Sequence, residues 1–92
     1  MRIDKYLKLT RLIKRRTVAK NLLDRGLFLI NGKVAKPSSE VEVGDVVELS
    51  LGRHKITIKV KELAPYVKKE ESINLYVVLS DEIIEVIYDE IS

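Results

Sequence analysis

The chain has 92 residues, no cysteine and a formal net charge of +3. This length allows one small domain, because a chain near this size buries little more than about 60% of its unfolded surface. The lack of cysteine excludes a disulfide framework, a thiolate metal site and a cysteine nucleophile, and no apolar run approaches the roughly 18 residues of a membrane span. We therefore expect a soluble protein of a reducing compartment, the cytoplasm.

Charge is divided unequally along the chain. Residues 1–40 carry eleven Lys and Arg against three acids, whereas residues 41–92 carry six against eleven. After Lys69 there are seven acids and no Lys or Arg. Such polarisation favours a polyanionic partner for the first half of the chain. A solvated basic surface without a partner is the alternative that charge alone leaves open.

The first predicted element is a short helix. Ile3, Tyr6 and Leu7 have the i, i+3, i+4 spacing that gives a helix one apolar face, and we expect this helix to end near Leu9 or Thr10. Another face carries three cations spaced three residues apart, the basic ridge of Arg2, Lys5 and Lys8. Like charges on adjacent turns destabilise a helix by about 0.2–0.5 kcal/mol per pair. The ridge is therefore unfavourable unless an anion lies against it.

A basic cluster and a second predicted helix follow. The cluster consists of Arg11, Lys14, Arg15 and Arg16. Thr17 is the predicted N-cap and Gly26 the predicted C-terminal stop, because Gly readily takes a left-handed conformation. The apolar face of this helix is expected to contain Val18, Ala19, Leu22 and Leu23. A phosphate bound at the start of this helix would contact the guanidinium groups of Arg15 and Arg16 and the free backbone N–H groups of the first turn. This arrangement indicates an anion site.

The middle of the chain predicts a small sheet. The apolar run Leu27–Ile30 is followed by Asn31-Gly32, the dipeptide that a type I′ hairpin turn favours, and Gly44-Asp45 marks a second turn. Alternating apolar and polar residues predict two antiparallel strands, at 46–51 and 55–61. The expected fold is therefore α+β, with two N-terminal helices packed on a small, mostly antiparallel sheet.

Three further segments are predicted in the last third of the chain. Glu62–Ser72 contains Pro65 and a run of charges, so we expect an exposed connector. Ile73–Leu79 is expected as a last strand or an extended segment. Ser80–Glu82 resembles the acidic start of an amphipathic helix that would continue to Ile91, and a frayed tail is the equal alternative.

The residues themselves offer little support for catalysis. His54 is the only histidine, and we expect it to be exposed in a loop and to have no functional role. No other residue stands near it at a spacing typical of metal ligands. Tyr66, Tyr76 and Tyr88 could stack on bases, but packing is the commoner use of tyrosine, and none is assigned to a ligand. We therefore predict no catalytic residue, no metal and no cofactor.

The first half of the chain contains a series of short motifs, in this order: Arg2-Ile3-Asp4-Lys5-Tyr6-Leu7, Arg11, Lys14-Arg15-Arg16-Thr17-Val18-Ala19-Lys20-Asn21-Leu22-Leu23, Gly26, Ile30-Asn31-Gly32-Lys33, Lys36-Pro37-Ser38 and Gly44-Asp45. In this order and at these intervals they resemble the S4 RNA-binding domain family, over about the first half of the chain. The resemblance implies an S4 (alpha-L) domain at residues 1–62, with a connector and acidic C-terminal extension at residues 63–92. It also implies eight candidate RNA contacts: Arg2, Lys5, Lys8, Arg11, Lys14, Arg15, Arg16 and Lys36.

Beyond the S4 motifs, residues 1–80 as a whole resemble the bacterial RqcP-type factors of ribosome-associated quality control. That resemblance implies a monomeric, non-enzymatic factor on large ribosomal subunits obstructed by peptidyl-tRNA. Such a factor contacts rRNA and the P-site tRNA, and with a NEMF-type partner it supports C-terminal alanine tailing of the stalled chain. Two alternatives stay open: a heat-shock-type S4 protein that recycles stalled large subunits, and a protein-interaction module that uses the acidic tail.

Overall fold

The computed structural model describes residues 1–13, 15–51 and 54–83. The elements follow in the order α1 (Ile3–Leu9), α2 (Arg16–Asp24), β1 (Phe28–Ile30), β2 (Lys33–Val34), β3 (Val46–Leu51), β4 (His54–Val60), a 3-10 helix (Lys69–Leu75) and β5 (Tyr76–Ile83). The strands form one sheet in the order β2-β1-β3-β4-β5, and every neighbouring pair is antiparallel. The predicted α+β class is confirmed. Within the described ranges, no helix is long and apolar enough to cross a membrane.

Helix α1 forms as its sequence predicts. Ile3, Tyr6 and Leu7 are fully buried, and the helix ends at Leu9. The Thr10 hydroxyl donates a hydrogen bond to the Leu7 carbonyl at 2.8 Å, which satisfies one of the carbonyls left open at the helix end. This helix therefore directs one face into the core and leaves the basic ridge outside.

Helix α2 begins earlier than predicted. Arg15 is the N-cap in an extended conformation, and its carbonyl accepts the backbone N–H groups of Val18 and Ala19, both at 3.1 Å. Thr17 lies inside the first turn and does not cap the helix, so that prediction was wrong. Val18 was also wrongly expected in the apolar face, since 44% of its surface is exposed.

The core forms where the helices cover one face of the sheet. Alternate residues of β3 and β4 are buried there together with Phe28 of β1, and they are Val47, Leu49, Ile58 and Val60. The predicted hairpin is confirmed, because Asn31 and Gly32 both have positive φ, at 50° and 83°. Gly26 has a φ of 73° just after α2, as its predicted role as a helix stop requires.

The last strand is displaced from its predicted position. Residues 73–75 belong to the 3-10 helix, and β5 runs from Tyr76 to Ile83. Ser80–Glu82, predicted as a helix start, instead pair with Lys55–Thr57 of β4. That prediction was wrong because the edge of β4 offers unpaired backbone groups, which a neighbouring strand satisfies and a helix would not. The remainder of the predicted helix, residues 84–91, lies outside the described residues.

The connector, residues 62–72, is more closely packed than expected. Leu63, Ala64 and Val67 are partly buried against the core, and Leu75 just beyond is 1% exposed. The buried Tyr6 hydroxyl donates a hydrogen bond to the Leu75 carbonyl at 2.6 Å. Burial raises the pKa of Tyr6 well above its ordinary value, and nearby Tyr76 adds to this shift. The connector is thereby held beside α1.

Candidate nucleic-acid interface

Arg2 is the most closely held member of the basic ridge. It is the N-cap of α1, and its Nη2 atom lies 3.2 Å from Oδ2 of Asp4. The Asp4 side chain is only 4% exposed, whereas that of Arg2 is 50% exposed. A buried carboxylate therefore orients a guanidinium group that still has N–H donors directed to solvent.

The structure brings Arg2 close to Lys36, which is distant in sequence. Arg2 forms a backbone bridge with Glu40, and the Ile3 N–H donates to the Ser39 carbonyl at 2.7 Å. The backbone N–H of Lys36 donates to the Ser39 hydroxyl at 2.8 Å, which fixes the turn that carries Lys36. Arg2 and Lys36 line one surface cavity as a result.

Arg11 has an unusual backbone conformation. Its φ is 61°, in the left-handed region that glycine adopts far more readily than arginine, and its N–H donates to the Lys8 carbonyl at 3.1 Å. The chain turns here at the end of α1, before the buried side chain of Ile13. The Arg11 side chain is exposed and lines the same groove as Lys5 and Lys8.

The rest of the basic cluster lies at the junction of the two helices. Arg15 is exposed, and no side chain caps the start of α2 that it introduces. The backbone of Arg16 opens α2. Lys14 lies outside the described residues. The described members of the basic cluster thus lie between the end of α1 and the first turn of α2.

The candidate interface consists mainly of exposed cationic side chains. No group of His, Asp or Glu among them could hold a metal ion. His54 is exposed as predicted, but it is the first residue of β4 rather than part of a loop, with Nδ1 3.4 Å from Oδ1 of Asp81. Exposed Lys and Arg side chains on a rigid frame are suited to contacting nucleic-acid backbones.

Two connector residues that the sequence did not assign to the candidate interface lie beside its cations. Tyr66 and Lys69 line the groove that also contains Lys5, Lys8 and Arg11. No local sequence signal could have identified them, because the groove exists only where the folded connector lies beside α1. The aromatic character of Tyr66 and the paired lysines Lys68-Lys69 were visible, but their position was not.

The S4 domain family model matches residues 1–47, about half of the chain. This range contains both helices, the hairpin and the turn at Gly44-Asp45. The chain therefore belongs to the S4 domain family.

Two bacterial relatives are similar over almost their whole length. The RQC P-site tRNA stabilizing factor of Bacillus subtilis is 49% identical over 82 residues, which are 89% of this chain and 95% of the relative. The factor of the same name from Streptococcus pneumoniae is 44% identical over 85 residues, or 92% and 97% of the two chains. Within the S4 domain family, the chain thus groups with the RQC P-site tRNA stabilizing factors.

The fold is also similar to that of a solved heat-shock protein. The trimeric structure of Vibrio cholerae Heat Shock Protein 15 superimposes with a TM-score of 0.80 and 32% sequence identity. The similarity covers 87% of this chain and 82% of the Vibrio chain.

Proposed function

We propose that the chain is an RNA-binding factor of ribosome-associated quality control. In this role it binds large ribosomal subunits obstructed by a peptidyl-tRNA and contacts both rRNA and the P-site tRNA. Together with a NEMF-type partner it supports alanine tailing of the stalled chain, as a monomeric and non-catalytic component of the cytoplasm. The observation that carries this proposal is the 49% identity with the Bacillus subtilis RQC P-site tRNA stabilizing factor over 95% of that protein.

The proposed RNA contacts are the basic ridge, the basic cluster and Lys36. Support comes from exposure, since each described side chain of this set is accessible to solvent: Arg2, Lys5, Lys8, Arg11, Arg15 and Lys36. Lys14 and Arg16 join the set through their positions in the family motif. Because side chains cannot read the deep major groove of A-form RNA, these cations would follow phosphates and discriminate weakly between sequences.

Sedimentation from cells tests the proposal directly. We expect the tagged chain to travel with large subunits that carry peptidyl-tRNA, and alanine tailing of a stalled reporter to be lost when the gene is deleted. Arg15→Ala should release the chain from these subunits, whereas the control Lys59→Ala, exposed on β4, should not. A chain that travels with small subunits, or with large subunits free of peptidyl-tRNA, would contradict the proposal.

Recycling of stalled large subunits is the second candidate. The TM-score of 0.80 with Vibrio cholerae Heat Shock Protein 15 favours it. The two candidates differ in one readout, because a recycling factor leaves alanine tailing intact when deleted while obstructed subunits accumulate. A third possibility, docking of a basic protein by the acidic tail, would make ribosome association insensitive to Arg15→Ala.

A further inference from the structure

A groove of about 730 Å³ separates α1 from the connector. Lys5, Lys8 and Arg11 line one side, and Tyr66 and Lys69 line the other. The two sides are joined by the hydrogen bond from the buried Tyr6 hydroxyl to the Leu75 carbonyl, together with the packing of Val67 against the core. The groove is therefore a fixed feature of the fold and not a gap beside a loose loop.

The electrostatics of the groove favour an anion. Of the described residues that line it, four are cationic and none is acidic. None of these four cations forms an ion pair with another described residue. Lys5 and Lys8 lie on adjacent turns of α1, where like charges repel, and Arg11 beyond the helix end adds a third positive charge to the same groove. An anion bound in the groove would relieve this repulsion.

Tyr66 gives the groove a second kind of contact. Its side chain is 74% exposed, and Leu9 and Val67 beside it provide a half-buried apolar floor. An exposed aromatic ring next to cations is the combination with which proteins hold unpaired nucleotides, because the ring stacks on a base while the cations contact its phosphate. An acidic peptide would use the cations but would leave the ring without a partner.

We propose that this groove binds one unpaired nucleotide of RNA. Its base stacks on Tyr66, and its phosphate is bound by Lys8, Arg11 and Lys69. The inference rests on the proposed RNA-binding function and extends it, since Tyr66 and Lys69 lie outside the residues 1–47 that match the S4 domain. The cations of the basic ridge and basic cluster that lie outside the groove would hold the helical part of the RNA, and the groove would select for a nucleotide that leaves the helix.

Two RNA duplexes of the same sequence test this inference, one fully paired and one with a single bulged uridine. We expect the wild-type chain to bind the bulged duplex about tenfold more tightly in fluorescence anisotropy, a difference typical of one stacked base. Tyr66→Ala should remove this preference and leave affinity for the paired duplex unchanged, whereas Tyr66→Phe should keep it. Thermal unfolding of each variant should match the wild type, because the ring is exposed.

Lys69→Ala tests the phosphate contact. We expect it to lower affinity for the bulged duplex and to make the slope of log affinity against log salt concentration shallower, by the amount expected for about one phosphate. The control Lys59→Ala lies outside the groove and should change neither quantity. Equal wild-type affinity for the two duplexes, or a preference that survives Tyr66→Ala, would overturn the inference. Competition by a poly-glutamate peptide as strong as by the bulged RNA would also overturn it.

The same preparations separate this inference from the proposed function. Wild-type protein that binds large subunits carrying peptidyl-tRNA but ignores the bulge refutes the nucleotide groove alone. Protein that binds neither the subunits nor the RNA refutes the proposed function itself.

Discussion

At the scale of single residues, Arg11 is the position where backbone geometry and chemistry conflict. A φ of 61° costs an arginine about 1 kcal/mol or more relative to glycine, and the side chain it carries is exposed rather than packed. Folding alone would therefore favour glycine here. The arginine is explained if its charge is used in binding.

Arg11→Gly separates the two roles. We expect the free energy of unfolding to stay unchanged or to rise by up to about 1 kcal/mol, because relief of strain is offset by the greater freedom of glycine in the unfolded chain. Affinity for large subunits should fall, and Arg11→Lys should retain most of it because the charge stays. Urea denaturation and subunit binding measure the two effects, and wild-type affinity in Arg11→Gly would contradict a role in binding.

Tyr6 connects α1 to the chain beyond the connector through its buried hydroxyl. The folded state raises the pKa of Tyr6, so the neutral phenol is the form that folding favours. This contribution is fully present below the ordinary pKa of about 10 and is lost as pH rises towards the higher pKa of the folded state.

Alkaline denaturation should reveal this linkage. Above about pH 10, we expect the wild-type free energy of unfolding to fall more steeply than that of Tyr6→Phe, by up to about 1.4 kcal/mol per pH unit. Near neutral pH the substitution itself should cost about 1 kcal/mol through the lost hydrogen bond to Leu75. Tyr66→Phe is the matched control because its ring is exposed, and identical slopes in wild type and Tyr6→Phe would refute the linkage.

At the scale of elements, the 3-10 helix and β5 complete the core that the S4 motif begins. Leu75 is buried at the junction of these two elements, and β5 pairs with β4 along its length. The N-terminal residues 1–47 that match the family model are therefore covered and extended by chain that lies outside that match. The domain boundary at residue 62 stays a prediction.

Leu75→Ala tests how much the last elements contribute. We expect a loss of about 2–5 kcal/mol in the free energy of unfolding, because the substitution leaves a cavity in the core. Leu79→Ala, at a position 53% exposed in β5, should change it by no more than about 0.5 kcal/mol. Equal losses of unfolding free energy in the two variants, measured by urea denaturation, would mean that burial of Leu75 does not stabilise the core.

Local chemistry determined which elements could be predicted. Gly26 and Asn31-Gly32 were predictable because each needs a positive φ that few other residues accept. Ser80–Glu82 were not, because their strand conformation depends on β4, which lies far away in sequence. The N-cap was predicted two residues too late, at Thr17, because the carbonyl of Arg15 already accepts the first backbone hydrogen bonds of α2.

At the scale of the whole molecule, the same distinction applies to the candidate interface. The basic ridge and cluster could be predicted because charge and motif spacing are properties of the sequence. The groove could not, because Tyr66 and Lys69 are placed opposite α1 only by the packing of the connector and the hydrogen bond from Tyr6 to the Leu75 carbonyl. Sequence therefore predicts the charges of the candidate interface, and the fold decides which of them lie together.

Cations of the first half of the chain are proposed to bind ribosomal RNA. Equilibrium binding to purified large subunits carrying peptidyl-tRNA, measured across a range of salt concentrations, tests this proposal most directly. We predict that the logarithm of affinity falls linearly with the logarithm of salt concentration, with a slope of about −0.7 to −0.9 per phosphate neutralised. The double substitution Arg11→Ala and Arg15→Ala should make this slope shallower by about two phosphates and leave the fold intact. Affinity that is insensitive to salt, or unchanged in the double variant, would show that these cations do not bind ribosomal RNA.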